Sequence, residues 1–157
     1  MTTSPPDRRP SAAGGGRLSF AIFTLARAHR AHAAGMLRDL GLHPGQELLL
    51  MRLFDRDGQT QSELLDAVGL DHSTVSKSLR RMQEAGLLTR EPAEHDRRVQ
   101  LVRLTDRGRA MREPIEAMWS ALEDISVQGL SADEIESFVA LAQVIEKSIA
   151  DRPRAAD

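Results

Sequence analysis

Apolar residues recur along this chain with two different periods. Over residues 18–40 they fall at Leu18, Ile22, Leu25, Ala33, Met36 and Leu40, the spacing of one helical face. GLHPGQ punctuates that run, and Pro44 is placed for the first turn of a new helix. The following QELLLMRLF is apolar on most sides and predicts a largely buried helix. Thr60 with Glu63 three residues on is a capping-box pattern, which predicts a short helix from about Gln61 that Gly69 ends. Asp71 then stands as the N-cap of HSTVSKSLRRMQEAG, stopped at Gly86. Two helices joined by a tight glycine-containing turn form a helix-turn-helix.

Beyond Gly86 the period shortens. Residues 87–90 and 99–104 predict two strands, the second alternating Val99, Leu101 and Arg103 on one face. Pro92 and the charged stretch to Arg98 form an exposed loop between them. Thr105 caps a helix carrying Met111, Ile115, Met118, Leu122 and Ile125, with a kink or early boundary at Pro114. Ser131 and Glu134 make a second capping box, and the last helix is expected to bury Ile135, Phe138, Val139, Ala142, Ile145 and Ile149.

The expected fold class is mainly α with a small β-hairpin wing, a winged helix-turn-helix flanked by N- and C-terminal helices. Those outer helices exceed what a winged helix needs, and a second copy of the chain is the simplest partner for their apolar stripes. The expected organisation is a disordered Pro/Gly/Ser-rich tail over 1–16 and an N-terminal helix of a dimerisation region over 17–43. A winged helix-turn-helix DNA-binding region over 44–112 and C-terminal dimerisation helices over 113–152 complete it.

Composition changes this picture in two places. At 157 residues, 41% hydrophobic and 28% charged, the chain suits one soluble domain with a real core. No apolar run reaches the roughly 20 residues that span a bilayer, and no secretory h-region opens the chain, so no membrane is expected as a partner and the cytoplasm is the expected location. Zero cysteines exclude disulfides, thiolate metal sites and cysteine redox sensing. The net charge of −2 hides a strong asymmetry. Residues 71–112 hold ten Lys/Arg against six Asp/Glu, whereas residues 113–151 hold one Lys against nine acids. The basic middle suits a polyanion.

Candidate chemistry concentrates in that basic middle. On the helix after Asp71, Val75, Leu79 and Met82 share the core face. Ser73, Lys77, Arg80 and Glu84 lie opposite, with Thr74, Ser76 and Arg81 on the flanks. Small hydroxyls at its start allow close approach to a phosphate or base edge, and longer cations one and two turns on reach bases or phosphates. Arg97 and Arg98 in the hairpin loop are placed for the flanking minor groove, whose negative potential attracts arginine. Asp96 is expected to hold a neighbouring guanidinium in a bidentate pair. Arg90 is expected to pack or pair internally. G-x-G-x-x-G, P-loop, G-x-S-x-G and H-E-x-x-H motifs are all lacking, so no catalytic role and no cofactor are expected.

The stretches LDHSTVSKSLRRMQEAGLLTRE (70–91) and DRRVQLVRLTDRG (96–108) resemble the MarR family of winged-helix transcription regulators. Asp96 and Arg98 match the family's D-x-R wing signature, and Leu104, Thr105 and Gly108 its L-T-x-x-G turn. The resemblance implies a homodimer joined by its terminal helices and bound to a pseudo-palindromic DNA operator, usually as a repressor. It implies DNA contacts at Ser73, Thr74, Ser76, Lys77, Arg80, Arg81, Asp96, Arg97 and Arg98. It also implies release by a small aromatic or phenolic effector, for which His29 and His32 on the first helix are the candidate ligand-binding residues. A metal at that His pair is not expected, since no third and fourth ligands stand at a fitting spacing.

Overall fold

The computed structural model describes residues 10–152. After a 3-10 turn at Ser11–Ala13, α1 spans Arg17–Asp39, α2 Gln46–Asp55, α3 Gln61–Val68 and α4 His72–Glu84. The short strand β1 is Gln59–Thr60, β2 is Leu88–Pro92 and β3 is Gln100–Leu104. The remaining helices are α5 (Asp106–Ala110), α6 (Arg112–Ser126) and α7 (Ala132–Ala150). The chain divides into two compact units, one ending at Met118 and the other beginning at Trp119. Of the expected tail, residues 1–9 lie outside the described residues.

The first unit has one apolar core. Leu37 of α1, Leu49, Leu50 and Leu53 of α2, Leu64 of α3 and Val75, Leu79 and Met82 of α4 meet Leu88, Val102 and Leu104 of the sheet, and Ile115. Each such side chain, fully removed from water, contributes roughly 1.5–3 kcal/mol. Three local devices start and stop its helices as their residues dictate. Thr60 and Glu63 form the reciprocal capping box of α3. Gly69 then takes the left-handed φ of 65°, and Asp71 accepts from the Thr74 N–H to begin α4. Pro44 falls short of the expected place in α2: Gly45 is the N-cap, and the side chains of Gln46 and Glu47 fold back to accept from His43 N–H and Gly45 N–H.

The hairpin is part of a three-stranded antiparallel sheet ordered β1-β3-β2, because Gln59 and Thr60 pair with Val102 and Leu101. The strands extend from Leu88 through Pro92, which pairs with Gln100, so Pro92 belongs to the strand and not to the loop. The alternation along β3 is as expected, and the structure adds which side faces inward. Val99, Leu101 and Arg103 do share a side, but the core takes Val102 and Leu104. Apolar residues on both faces leave alternation ambiguous, and the helices beneath the sheet decide it.

Thr105 ties the base of the hairpin to the end of α4. Its N–H donates to Leu87 O at 3.1 Å, its hydroxyl to Gly86 O at 2.6 Å, and it accepts from Gly108 N–H. Gly108 must be glycine here, since an added Cβ would sit 2.0 Å from the Leu87 carbonyl oxygen. The helix boundary expected near Pro114 falls at Met111, with Pro114 in the first turn of α6.

In the second unit, α7 opens on the Ser131–Glu134 capping box as its residues predict. None of its side chains is buried, however, which corrects the expected burial of Ile135, Phe138, Val139, Ala142, Ile145 and Ile149. The helix is amphipathic, but a single chain supplies no cover for its apolar face.

Candidate nucleic-acid interface

Helix α4 presents two chemically distinct faces. Val75, Leu79 and Met82 are fully buried, while Ser73, Lys77, Arg80 and Arg81 are exposed and Thr74 and Ser76 half-buried. Ser73, Thr74 and Ser76 stand ahead of Lys77, Arg80 and Arg81, so hydroxyls precede long basic side chains along one surface. Arg80 reaches Glu84 only loosely, at 3.8 Å between two well-exposed groups, a pairing too solvated to hold it.

Asp71 governs the N-terminal end of this face. Its Oδ1 accepts from Thr74 N–H at 2.9 Å and from the Ser73 hydroxyl at 2.6 Å, and its Oδ2 accepts from the Thr74 hydroxyl at 2.5 Å. These bonds, the Ser73 hydroxyl first and then those of Thr74, hold the carboxyl well below the usual carboxylate range. The carboxylate thereby occupies the first-turn N–H that a phosphate would otherwise seek.

The wing tip is built around Asp96, but not as the sequence suggested. Asp96 Oδ1 accepts from the backbone N–H of Arg98 at 2.9 Å, and Asp96 O accepts from Val99 N–H. Among the described residues the expected bidentate pair with a guanidinium is not formed. A carboxylate two residues before an N–H closes an Asx turn at little entropic cost, and that local bond wins over an exposed ion pair. Arg97 and Arg98 consequently stand exposed at the tip with their guanidinium groups uncommitted to Asp96.

Arg90 packs as expected but does not pair. It lies opposite Val102, and its Nε and Nη2 are buried without a hydrogen-bond partner.

Residues that local sequence patterns did not reveal hold the wing in place. Asp57 Oδ1 accepts from Leu104 N–H at 2.9 Å and its Oδ2 from Arg109 at 3.1 Å, while Arg109 also donates to Leu104 O. Gln59, buried, donates to the Arg52 and Arg56 carbonyls at the end of α2. Arg103 pairs with Glu91 across the two strands at 3.1 Å. These contacts fix the end of β3 between α2 and α5, which sets the direction in which the hairpin projects.

His29 and His32 are both exposed on α1, with exposed Ile22 and Leu25 on the preceding turns. Among the described residues no group of three His, Cys, Asp or Glu side chains could hold a metal ion. No described helix is long and apolar enough to cross a membrane.

Residues 40–99, from the end of α1 to the hairpin loop, match the model of the MarR family. An uncharacterised HTH-type transcriptional regulator of Bacillus subtilis, YybA, is 22% identical over 112 residues, 71% of this chain and 75% of that protein. The crystal structure of a MarR mutant from E. coli complexed with operator DNA superposes with a TM-score of 0.79 at 22% identity, covering 87% of this chain and 99% of the other. BpsR of Bordetella bronchiseptica, whose DNA binding is regulated by 6-hydroxynicotinic acid, superposes with a TM-score of 0.68 at 24% identity, covering 80% and 98%. At these identities the structural likenesses establish a shared winged-helix fold.

Proposed function

We propose that the chain is a member of the MarR family, whose model it matches over residues 40–99, and a sequence-specific DNA-binding transcriptional regulator that acts as a homodimer on a pseudo-palindromic operator. The observation that carries this reading is α4 itself. A helix whose one side is fully buried offers the other, with Ser73, Lys77, Arg80 and Arg81, as a rigid surface. Such a helix fits the major groove, read chiefly from its N-terminal end. The exposed Arg97 and Arg98 then reach the neighbouring minor groove. Ser73, Thr74 and Ser76 approach base edges, and Lys77, Arg80 and Arg81 supply phosphate and base contacts. Asp96 shapes the tip by holding the Arg98 backbone.

The uncovered apolar face of α7 supports assembly with a second copy. A dimer repeats α4 at about 34–36 Å, one turn of the duplex. We further propose that the protein works in the cytoplasm, as a repressor that a small aromatic or phenolic effector releases, with His29 and His32 as candidate contacts. Such an effector lowers operator affinity only by its preference for the conformation that does not fit DNA.

Selection from random DNA, followed by anisotropy on the enriched duplex, tests the reading. The expected outcome is a two-fold sequence bound by two chains, with Arg98→Ala weakening all sequences. Unchanged affinity in Arg98→Ala removes the wing from the interface.

A further inference from the structure

Two hydroxyls at the start of α4 have their polarity fixed within the chain. We infer that Asp71 turns Ser73 and Thr74 into hydrogen-bond acceptors that select an amino-bearing base, adenine or cytosine, in the major groove. The inference rests on the DNA-binding reading above and assigns that site its base preference.

An ionised carboxylate has no proton to give, so every hydrogen bond at Asp71 is one that it accepts. The Ser73 hydroxyl must therefore donate to Oδ1 and the Thr74 hydroxyl to Oδ2. A hydroxyl carries a single proton, and both protons are used. What Ser73 and Thr74 turn outward is lone pairs alone. The hydrogen bonds to Asp71 hold its carboxyl well below the usual range, so this polarity persists throughout neutral pH.

The major groove contains both kinds of partner. Adenine N6 and cytosine N4 donate, whereas guanine O6 and N7 and thymine O4 only accept. A donor amino group satisfies the outward lone pairs. A keto oxygen opposes them, with the negative charge of Asp71 directly behind. Phosphate oxygens, also acceptors, are excluded for the same reason, and the Thr74 N–H that could have received one is already bonded to Asp71. The first turn of α4 is thus a base-reading element, and the backbone-holding task falls to Lys77, Arg80 and Arg81 farther along.

Sequencing of duplexes selected by the wild-type protein, Asp71→Asn and Thr74→Val tests this. Asparagine keeps an acceptor for the helix cap, but its amide N–H donates to the Thr74 hydroxyl and frees that proton to point outward. The wild type is expected to carry adenine or cytosine at the base facing Thr74 in each half-site. Asp71→Asn should move that position, and no other, toward guanine or thymine by about ten-fold in relative affinity, on the scale of one mismatched pair. Thr74→Val, which keeps the side-chain shape, should flatten the preference there. An unchanged base profile in Asp71→Asn, with equal weakening on every sequence, makes Asp71 a helix cap only and overturns the inference while leaving DNA binding intact. Failure of the wild type to enrich any two-fold sequence overturns the DNA-binding reading and the inference with it.

Discussion

Helices α4 and α7 are written in the same amphipathic code and meet opposite fates. In α4, Val75, Leu79 and Met82 are 0% exposed. In α7, which is six residues longer, Phe138 remains 56% exposed, Leu141 62% and Ile149 66%. The first helix finds its apolar cover within the chain, leaving its polar side exposed. The second has its polar side solvated and its apolar side still open. Apolar periodicity therefore specifies that a face will be covered, not what covers it. A large contiguous apolar patch on a soluble protein marks an interaction site.

The largest expected effect sharpens this contrast. Leu79→Ala should cost about 2–5 kcal/mol in chemical denaturation, by loss of transfer energy and an unfilled cavity, whatever the protein concentration. Leu141→Glu should leave a folded chain but convert a dimer to a monomer in sedimentation. The wild-type melting temperature should rise with concentration, and that of Leu141→Glu should not. A monomeric wild type would break the comparison at α7.

Next in size is Gly108→Ala, on the α4 side. Its methyl group would collide with the Leu87 carbonyl just beyond α4. A loss of about 1–3 kcal/mol or more is expected in urea titration, the cost of overpacking a fixed contact.

Acid should loosen both regions at once, because carboxylates cap their helices. Glu63, hydrogen-bonded first by Arg56 and then by Thr60 N–H, is pulled down to about 2, and Asp71 and Glu134 are also lowered. A carboxylate whose folded-state pKa is depressed stabilises the fold above its ordinary value and loses that contribution as pH falls. Melting temperature should fall as pH drops from about 4.5 toward 2, and Glu63→Gln should flatten part of that decline.

The smallest effect has the opposite sign. Glu47 is buried, and desolvation raises its carboxyl despite bonds from its own N–H and that of Gly45. A raised carboxylate costs stability as pH climbs through the interval above 4.5. Glu47→Gln keeps an acceptor for Gly45 N–H without the charge and should melt slightly higher than wild type at pH 7.

What could be read from the sequence divides by range of interaction. The caps at Thr60, Asp71, Thr105 and Ser131 act within three residues, and each sits where its motif places it. The buried face of α4 follows from helical period because every core position there is apolar. The clamp at Asp57 was invisible because its partners Leu104 and Arg109 lie 47 and 52 residues away. The strand β1 has no sequence signal, because two residues, Gln59 and Thr60, carry no period. Asp96 shows the converse: a bond to the N–H two residues on prevails over the side-chain pair that its neighbours suggest. The exposed cations of α4 and the wing are legible as a basic surface, since charge needs no partner to be seen.

A DNA-binding α4 and wing must neutralise phosphates. The direct measurement is operator affinity against salt concentration for the wild type, Lys77→Ala and Arg98→Ala. A steep linear fall of log K with log salt is predicted, with the slope reduced by about one for each substitution that removes a phosphate contact. A shallow slope, or slopes that neither substitution changes, would contradict it.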